Sequence, residues 1–544
     1  MLENIKSSFF IKLLYSNIKE EMKLKIVKYN KHLQYLLDIN LNNYKLFKGR
    51  YIIYEENGQA KEFNIFNDKL IYEGEYFNGK RNGKGKEYNI SYDGLIYEGE
   101  YLNGKRNGKG KEFDILNNKL IFEGEFLNGK KWNGKGYNIN FVVYKLKNGK
   151  GMIKEYESNN LIFEGEYSNG EKNGKGKEYN WYKSNLIFDG EYLNGKKWNG
   201  KGFDINNNKV YELKNGKGFI IEYNFFDDRL LFEGEYLYGE KNGKGKYYEY
   251  GKLIFESEYL NGKRNGKGRK YNYDGDLIFE GEYLYGHKIK GKEFIKGRLE
   301  YEGEYYLKKK WNGKGYNAEG KIIYELINGN GKVNEYDNIG NIEYEGEYLN
   351  GQRDGKGKEY ENNKLVFDGE YLKGKKWKGK GYDPQGKITY ELSEGDGYVK
   401  EFNFKNDYLK FEGYYKNGQK NGKGKEYIYN GKLCFEGEYL NGKRNGKGKE
   451  FNFNKLEFEG EYSNGKRTGK GKEYNYDGFL TFEGEYLNGK RNGKGKEYDF
   501  EGKLIFEGEY LNGERYGKGK EYIDDTLIFE NEFINGKKLE NNIK

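Results

Sequence analysis

The chain has 544 residues and a formal net charge of +10, and 82 of its residues are glycine. Its 58 tyrosines and 34 phenylalanines stand beside one proline, one cysteine and two histidines. A single cysteine excludes an internal disulfide or a thiolate metal cage, two histidines exclude a multi-histidine site, and the aromatic content argues against intrinsic disorder.

Residues 1–48 differ from the rest because they contain no glycine. Their apolar residues recur at the three- and four-residue spacing typical of helices. These positions are Ile5, Phe9, Leu13, Ile18, Met22, Ile26, Tyr29, Leu33, Leu36 and Leu37. We therefore predict two or three short helices that form an N-terminal cap on the first strand of the glycine-rich remainder of the chain.

Residues 49–538 form an array of repeats. The phrase YEGEYLNGKRNGKGKEF at residues 97–113 recurs seventeen times in recognisable form, mostly at steps of 22 to 25 residues. Four double-length steps each contain a shortened unit, which begins at Tyr144, Tyr211, Tyr324 or Tyr390. With a degenerate unit near Tyr54, the array has about 22 units, and a polar tail of residues 539–544 follows it.

Each unit is predicted to be a β-hairpin. Residues 95–102 alternate with period two, so that Tyr97, Gly99 and Tyr101 share one face. Asn103-Gly104 and Asn107-Gly108 bracket the expected turn, and the second strand is expected from Lys109 onward, through Gly110. We expect the aromatic rings to cover the strand glycines and the stacked hairpins to form one continuous ribbon.

The charges are predicted to form a solvated opposite face. Glu98, Glu100 and Glu112 would oppose Lys105, Arg106, Lys109 and Lys111 across the strands. The carboxylate pair Glu98/Glu100 recurs in nearly every unit, so we interpret it as structural and expect no catalytic residue, cofactor or metal. The Gly-Lys loop lacks the residues of a phosphate-binding loop, which argues against nucleotide binding.

Four tryptophans mark a recurrent junction: Trp132, Trp198, Trp311 and Trp377. Each lies in a K-K-W loop and is followed directly by a shortened unit. One interpretation is that the indole packs over the gap left by the shorter neighbour. The other is that the four indoles are a repeated partner-binding surface, which makes them candidate interaction residues.

The repeated phrase resembles the MORN repeat over residues 51–538. The resemblance implies a mainly β fold, an elongated single-layer antiparallel sheet of stacked hairpins, here with a small N-terminal α-helical cap. It also implies a non-enzymatic scaffold or adaptor that makes multivalent protein–protein contacts, sometimes as a homodimer, with binding to acidic phospholipids as an alternative. Ser257 and Asn531 depart from the pattern at the motif glycine.

Residues 1–48 loosely resemble an F-box, although the usual Leu-Pro opening is absent. That resemblance implies a third alternative, a substrate-recruiting subunit of a ubiquitin ligase that binds an Skp-type adaptor. The positive charge is spread over mixed-sign units, so nucleic acid is not an expected partner. No stretch approaches the ~18 apolar residues of a membrane span, and we expect a cytoplasmic protein, with peripheral attachment to membrane or cytoskeleton as an alternative.

Overall fold

The computed structural model describes residues 20–28, 30–37, 39 and 48–538, without 92–93, 116–118, 139–140, 158–159, 225, 430, 525 and 535. Two short helices precede the strands, α1 Glu20–Val27 and α2 Lys31–Leu36. The side chain of Asn30 accepts the backbone N–H of Leu33 at 2.9 Å and so caps the start of α2. The predicted helices are therefore confirmed here, whereas Ile5, Phe9, Leu13, Ile18 and Tyr29 lie outside the described residues, as does the tail 539–544.

The strands fall into two units, residues 1–309 and 310–544. A one-turn 3-10 helix, Glu56–Gly58, lies between the first two strands. The first unit contains β1 Arg50–Tyr54, β2 Gln59–Asn64, β3 Leu70–Phe77, β4 Lys80–Tyr88, β5 Leu95–Leu102, β6 Lys105–Phe113, β7 Leu120–Leu127, β8 Lys130–Asn138, β9 Phe141–Leu146, β10 Gly151–Glu157, β11 Asn160–Ser168, β12 Glu171–Tyr179, β13 Leu186–Leu193, β14 Lys196–Phe203, β15 Lys209–Leu213, β16 Gly218–Tyr223, β17 Leu230–Leu237, β18 Glu240–Glu249, β19 Lys252–Leu260, β20 Lys263–Tyr271, β21 Leu277–Leu284, β22 His287–Ile295 and β23 Arg298–Tyr306.

The second unit continues in the same way. It contains β24 Lys309–Tyr316, β25 Ile322–Leu326, β26 Gly331–Tyr336, β27 Ile342–Leu349, β28 Gln352–Glu361, β29 Lys364–Leu372, β30 Lys375–Tyr382, β31 Ile388–Leu392, β32 Gly397–Asn403, β33 Tyr408–Lys416, β34 Gln419–Ile428, β35 Lys432–Leu440, β36 Lys443–Asn452, β37 Lys455–Ser463, β38 Lys466–Tyr474, β39 Leu480–Leu487, β40 Lys490–Tyr498, β41 Leu504–Leu511, β42 Glu514–Ile523, β43 Thr526–Ile534 and β44 Lys537–Lys538.

Within each of five sheets, strands that follow one another in sequence pair antiparallel, which confirms the stacked hairpins. In β5–β6, Gly99 lies opposite Gly110, and the turn is the two residues Asn103 and Gly104. Both turn residues have positive φ, 53° and 85°, as a tight hairpin requires. The expected boundary is wrong: the second strand begins at Lys105. Gly108 lies inside it, with φ 99°, at an interruption of the pairing.

The shortened units interrupt the sheet, where one continuous ribbon was expected. In the unit that begins at Tyr211, Asn215 and Gly216 form a tight turn, but beside it only Lys214 and Lys217 pair, and no backbone pairing joins β15 to β16. The same break separates β9 from β10, β25 from β26 and β31 from β32. Each break coincides with two buried aliphatic side chains, such as Leu213 and Ile220, where full units carry aromatic rings.

The core of each unit is a layer of rings rather than a thick interior. The first aromatic of nearly every full unit is fully buried, for example Tyr72, Tyr97 and Phe122 at 0% exposure. No helix among the described residues is long and apolar enough to cross a bilayer.

One contact in the first unit joins residues far apart in sequence. The ring of Phe66, in the loop after β2, lies 4.4 Å from the ring of His287, which begins β22. The Lys308 ammonium lies 4.1 Å from the centre of the same phenyl ring. Burial and the neighbouring positive charges of Lys308 and Lys263 lower the pKa of His287 to about 4.

Candidate interaction groove

A long groove runs across the strands of the second unit, on the face opposite the rings. Its volume is about 1370 Å³. Its floor is the backbone of one glycine per strand, and its two walls are lysines and glutamates that flank each glycine. The floor glycines are Gly424, Gly437, Gly448, Gly460, Gly471, Gly484, Gly495, Gly508 and Gly519.

The first unit carries two shorter grooves of the same construction. One, of about 910 Å³, has Gly74, Gly85, Gly99, Gly110 and Gly124 in its floor. The other, of about 830 Å³, runs from Phe219 to Gly303 and contains Ser257 in place of a floor glycine. The groove is therefore a property of the repeated unit and not of one place in the chain.

One wall is a row of alternating charges. Antiparallel pairing places the glutamate that precedes each floor glycine beside the lysines that follow the floor glycines of the two neighbouring strands. Glu98, for example, lies between Lys86 and Lys111. The resulting ion pairs are long and about half exposed, for example 3.6 Å for Lys425–Glu436. Exposed pairs of this kind contribute roughly 0–1 kcal/mol each, so their charges can exchange partners at little cost.

On the other wall, the glutamate carboxylates are fixed by hydrogen bonds from backbone N–H groups. The Glu100 carboxylate accepts the backbone N–H of Lys109 at 2.9 Å. A Cβ on Gly108 would lie 2.0 Å from the Oε2 atom of Glu100, so this carboxylate occupies the space that a side chain at position 108 would need. The second glutamate of each E-G-E triplet thus secures the irregular stretch around Gly108, while the first forms the charged row. The described residues contain no group of three or more His, Cys, Asp or Glu arranged to hold a metal.

The opposite face shows why the motif glycines are required. Cβ atoms on Gly99 and Gly110 would lie 2.5 Å and 2.3 Å from the Tyr97 hydroxyl oxygen, because this ring lies across the paired backbones. Tyr97 meets Tyr101 edge-to-face at 5.4 Å and Phe126 of the next hairpin at 5.1 Å. Burial raises the pKa of Tyr97, so the hydroxyl stays neutral.

A layer of charges covers the rings, which corrects the predicted charge distribution. The Arg106 guanidinium lies 4.1 Å from the centre of the Tyr97 ring and bonds Glu87 at 2.5 Å and Glu112 at 2.6 Å. Arg106 and Glu112 lie on the ring face, because Glu112 pairs with Tyr97 and Arg106 pairs with Tyr101 across the two strands. Burial opposes ionisation of Glu87, but hydrogen bonding to Arg106 and the charge of Arg81 hold its pKa below the usual value.

Backbone hydrogen bonds join the turns of successive hairpins. The Gly104 N–H donates to the Arg81 carbonyl, and the Gly129 N–H donates to the Arg106 carbonyl, each at 2.8 Å. The sequence analysis missed the position of the Arg106 side chain over the Tyr97 ring. The arginine or lysine that occupies this position in each full unit was a usable signal for it.

The four tryptophans lie beneath the tight turns of the shortened units, and each is half-buried. Each tryptophan carbonyl accepts the N–H of the turn glycine, at 2.7 Å for Trp132, Trp198 and Trp311 and 2.5 Å for Trp377. In the first three, a Cβ on that glycine would lie within 2.9 Å of the indole ring. Each indole thus lies at its own junction, beside the turn of the shortened unit that follows it.

Comparison with known proteins identifies eleven MORN repeats in the chain. The matched segments are residues 72–92, 97–113, 163–180, 232–248, 255–277, 344–363, 411–432, 435–451, 458–478, 482–502 and 506–525. No curated protein matches the sequence.

Two solved structures align with low similarity, the crystal structures of TcdB2-TccC3 and of TcdB2-TccC3-TEV. Their sequence identities are 11% and 9%, and their TM-scores are 0.13 and 0.12. The alignments cover 87% and 86% of this chain but only 31% and 30% of those chains, and we draw no inference from them.

Proposed function

We propose that this MORN-repeat chain is a non-enzymatic scaffold that holds extended segments of partner proteins in its charged grooves. The observation that carries the proposal is the repetition of one groove cross-section from strand to strand. A catalytic site needs a unique arrangement of polar groups, whereas a groove of repeated cross-section suits a long polymer that can bind at several positions.

The chemistry of the groove favours a polypeptide with both signs of charge. A glycine floor leaves room for a backbone to approach closely, and the two walls offer ammonium and carboxylate groups in alternation. Because the wall pairs are weak, a ligand can replace them with its own charges without leaving buried charges unpaired.

Charge reversal in one wall tests the proposal. Lys449→Glu with Lys472→Glu removes two ammonium groups that pair with Glu459 and Glu483 at 3.3 and 3.8 Å. The matched control, Lys416→Glu with Lys443→Glu, makes the same charge change at exposed residues outside the groove. Both variants are compared with the unchanged chain in affinity purification from the native cell, read by mass spectrometry.

Partners captured by the unchanged chain and the control variant, but not by the groove variant, support the proposal. Equal capture by all three contradicts it. The same purification addresses the ubiquitin-ligase alternative, since an Skp-type adaptor lost on removal of residues 1–48 would support that function. Flotation with acidic phospholipid vesicles, with and without added salt, addresses the membrane alternative.

A further inference from the structure

A row of exposed aromatic side chains follows one edge of the second unit, outside the groove. Tyr429, Phe453, Tyr476 and Phe500 lie in the connections that follow β34, β36, β38 and β40. Their exposed fractions are 74%, 61%, 63% and 73%. Large apolar side chains are rarely this exposed in series, and we refer to these four as the aromatic ladder.

The ladder has a regular step because each rung belongs to one hairpin. Successive rungs are separated by two strands, so the backbones that carry them are about 9.6 Å apart. The first unit shows that residues at this position in successive connections are spatial neighbours. There Tyr250 and Tyr273 occupy the same place, after β18 and β20, and their ring centres are 6.3 Å apart.

The step matches one conformation of a polypeptide. A polyproline II helix has three residues per turn and rises about 3.1 Å per residue, so that one face repeats every ~9.3 Å. Exposed aromatic rings are also the surface on which proline-rich segments dock. We propose that the aromatic ladder binds a proline-rich segment of a partner protein in the polyproline II conformation, with one proline per turn on each ring.

Charge specifies this partner further. The Lys432 ammonium lies 4.6 Å from the centre of the Phe453 ring, and the Lys455 ammonium lies 3.6 Å from that of Tyr476. At the far end of the ladder, the Lys503 ammonium bonds Asp524 at 2.7 Å and Glu501 at 3.1 Å. The segment should therefore carry acidic residues where it lies over Phe453 and Tyr476, the two middle rungs.

The occupant belongs to another protein. These 544 residues contain a single proline, Pro384, so none of them supplies a proline-rich segment. The ladder is thus an interaction surface separate from the groove, with its own ligand chemistry.

The test uses the full chain and a fluorescein-labelled peptide of Pro-Pro-Glu triplets, about fifteen residues long. Binding is measured by fluorescence anisotropy. The ladder variant carries Phe453→Asn, Tyr476→Ser and Phe500→Ser, all at exposed positions. The matched control carries Leu440→Ser, Leu487→Ser and Leu511→Ser, which change side chains exposed at 49%, 54% and 43% at hairpin turns. Circular dichroism checks that both variants are folded.

We expect saturable binding that is at least about tenfold weaker in the ladder variant and unchanged in the control variant. A Gly-Ser-Glu peptide of the same charge should bind more weakly, because it lacks the preformed helix. No binding of the Pro-Pro-Glu peptide at about 1 mM protein, or equal binding by both variants, overturns the proposal. Vesicle binding that depends on the ladder, without peptide binding, overturns it in favour of a membrane surface.

Discussion

One of the two natural exceptions, Ser257, shows what the motif glycine does. It stands in the unit at Phe255, where all other full units except the one at Phe529 have glycine under the first ring. The Ser257 side chain is buried and bonds the Lys267 carbonyl at 3.3 Å. Phe255 is only partly buried, whereas its counterparts in nearly all other full units are fully buried. One hydroxymethyl group therefore displaces the ring that should cover it.

Substitution of Gly110 by alanine should have the same effect in a regular unit. A Cβ there would lie within 2.3 Å of the Tyr97 hydroxyl oxygen, so we expect a loss of about 1–3 kcal/mol in local stability. Faster hydrogen exchange in β5 and β6 would measure it. The reverse change, Ser257→Gly, should slow exchange in β19 and β20. Unchanged exchange in both variants would contradict the role given to the rings.

At the scale of single residues, the sequence predicts which side chains of the first strand share a face, but not which face the charges of the second strand occupy. Period-two counting correctly places Tyr97, Gly99 and Tyr101 together. The prediction is wrong for Arg106 and Glu112, which share the parity of Gly110 and so lie on the ring face. It assigned them to the solvated face because they are charged, and one strand read alone does not show that Gly110 pairs with Gly99. Nothing in the phrase N-G-K-R-N-G distinguishes the glycine that turns the chain from the glycine that only offsets the pairing.

The element that varies is the hairpin at each shortened unit. A full hairpin continues the backbone pairing of the sheet on both sides. A shortened hairpin instead has a tight turn, two buried aliphatic side chains and a neighbouring indole. The break was not predictable from the Asn-Gly signal, because that signal specifies the turn and says nothing about the strands beyond it. The tryptophan spacing did locate all four places where the sheet is interrupted.

Trp198→Ala should loosen the junction between β15 and β16. Loss of a half-buried indole that packs on Gly216 is expected to cost about 1–3 kcal/mol. Hydrogen exchange over residues 209–223 would report it, with Trp181→Ala, in the connection after β12, as the control that leaves this segment unchanged. If all four tryptophans can be replaced by alanine without faster exchange but with loss of partner binding, the indoles are a binding surface instead.

For the whole molecule, stability arises between neighbours along the array. Each ring layer, turn-to-turn bond and charge row joins a hairpin to the next, as in other repeat proteins. The eleven segments that match the MORN repeat omit all four units with the K-K-W loop, although the structure folds these as the same hairpins. The repetition of the motif made the fold predictable. The shortened units and their K-K-W loops located the breaks in the sheet, which a single copy of the motif could not have shown.

Deletion of residues 482–505 should therefore be tolerated. It removes one period and joins Thr481 to Phe506, which leaves every alternation in phase. We expect unchanged circular dichroism per residue and retained exchange protection in β37 and β42. Deletion of Glu483 alone is the control, because a one-residue offset inside β39 moves Tyr486 to the face opposite Phe482, whereas offsets in the connections occur between natural units. Equal behaviour of the two deletions would contradict the dependence on alternation.

The contact between Phe66 and His287 has a consequence for the order of events during synthesis. Every hairpin of the first unit can form as it leaves the ribosome, because its partners are the segments made just before it. The loop that holds Phe66, by contrast, must wait through more than two hundred further residues for its imidazole neighbour. Until then its phenyl ring lacks the imidazole and ammonium groups that contact it in the finished chain.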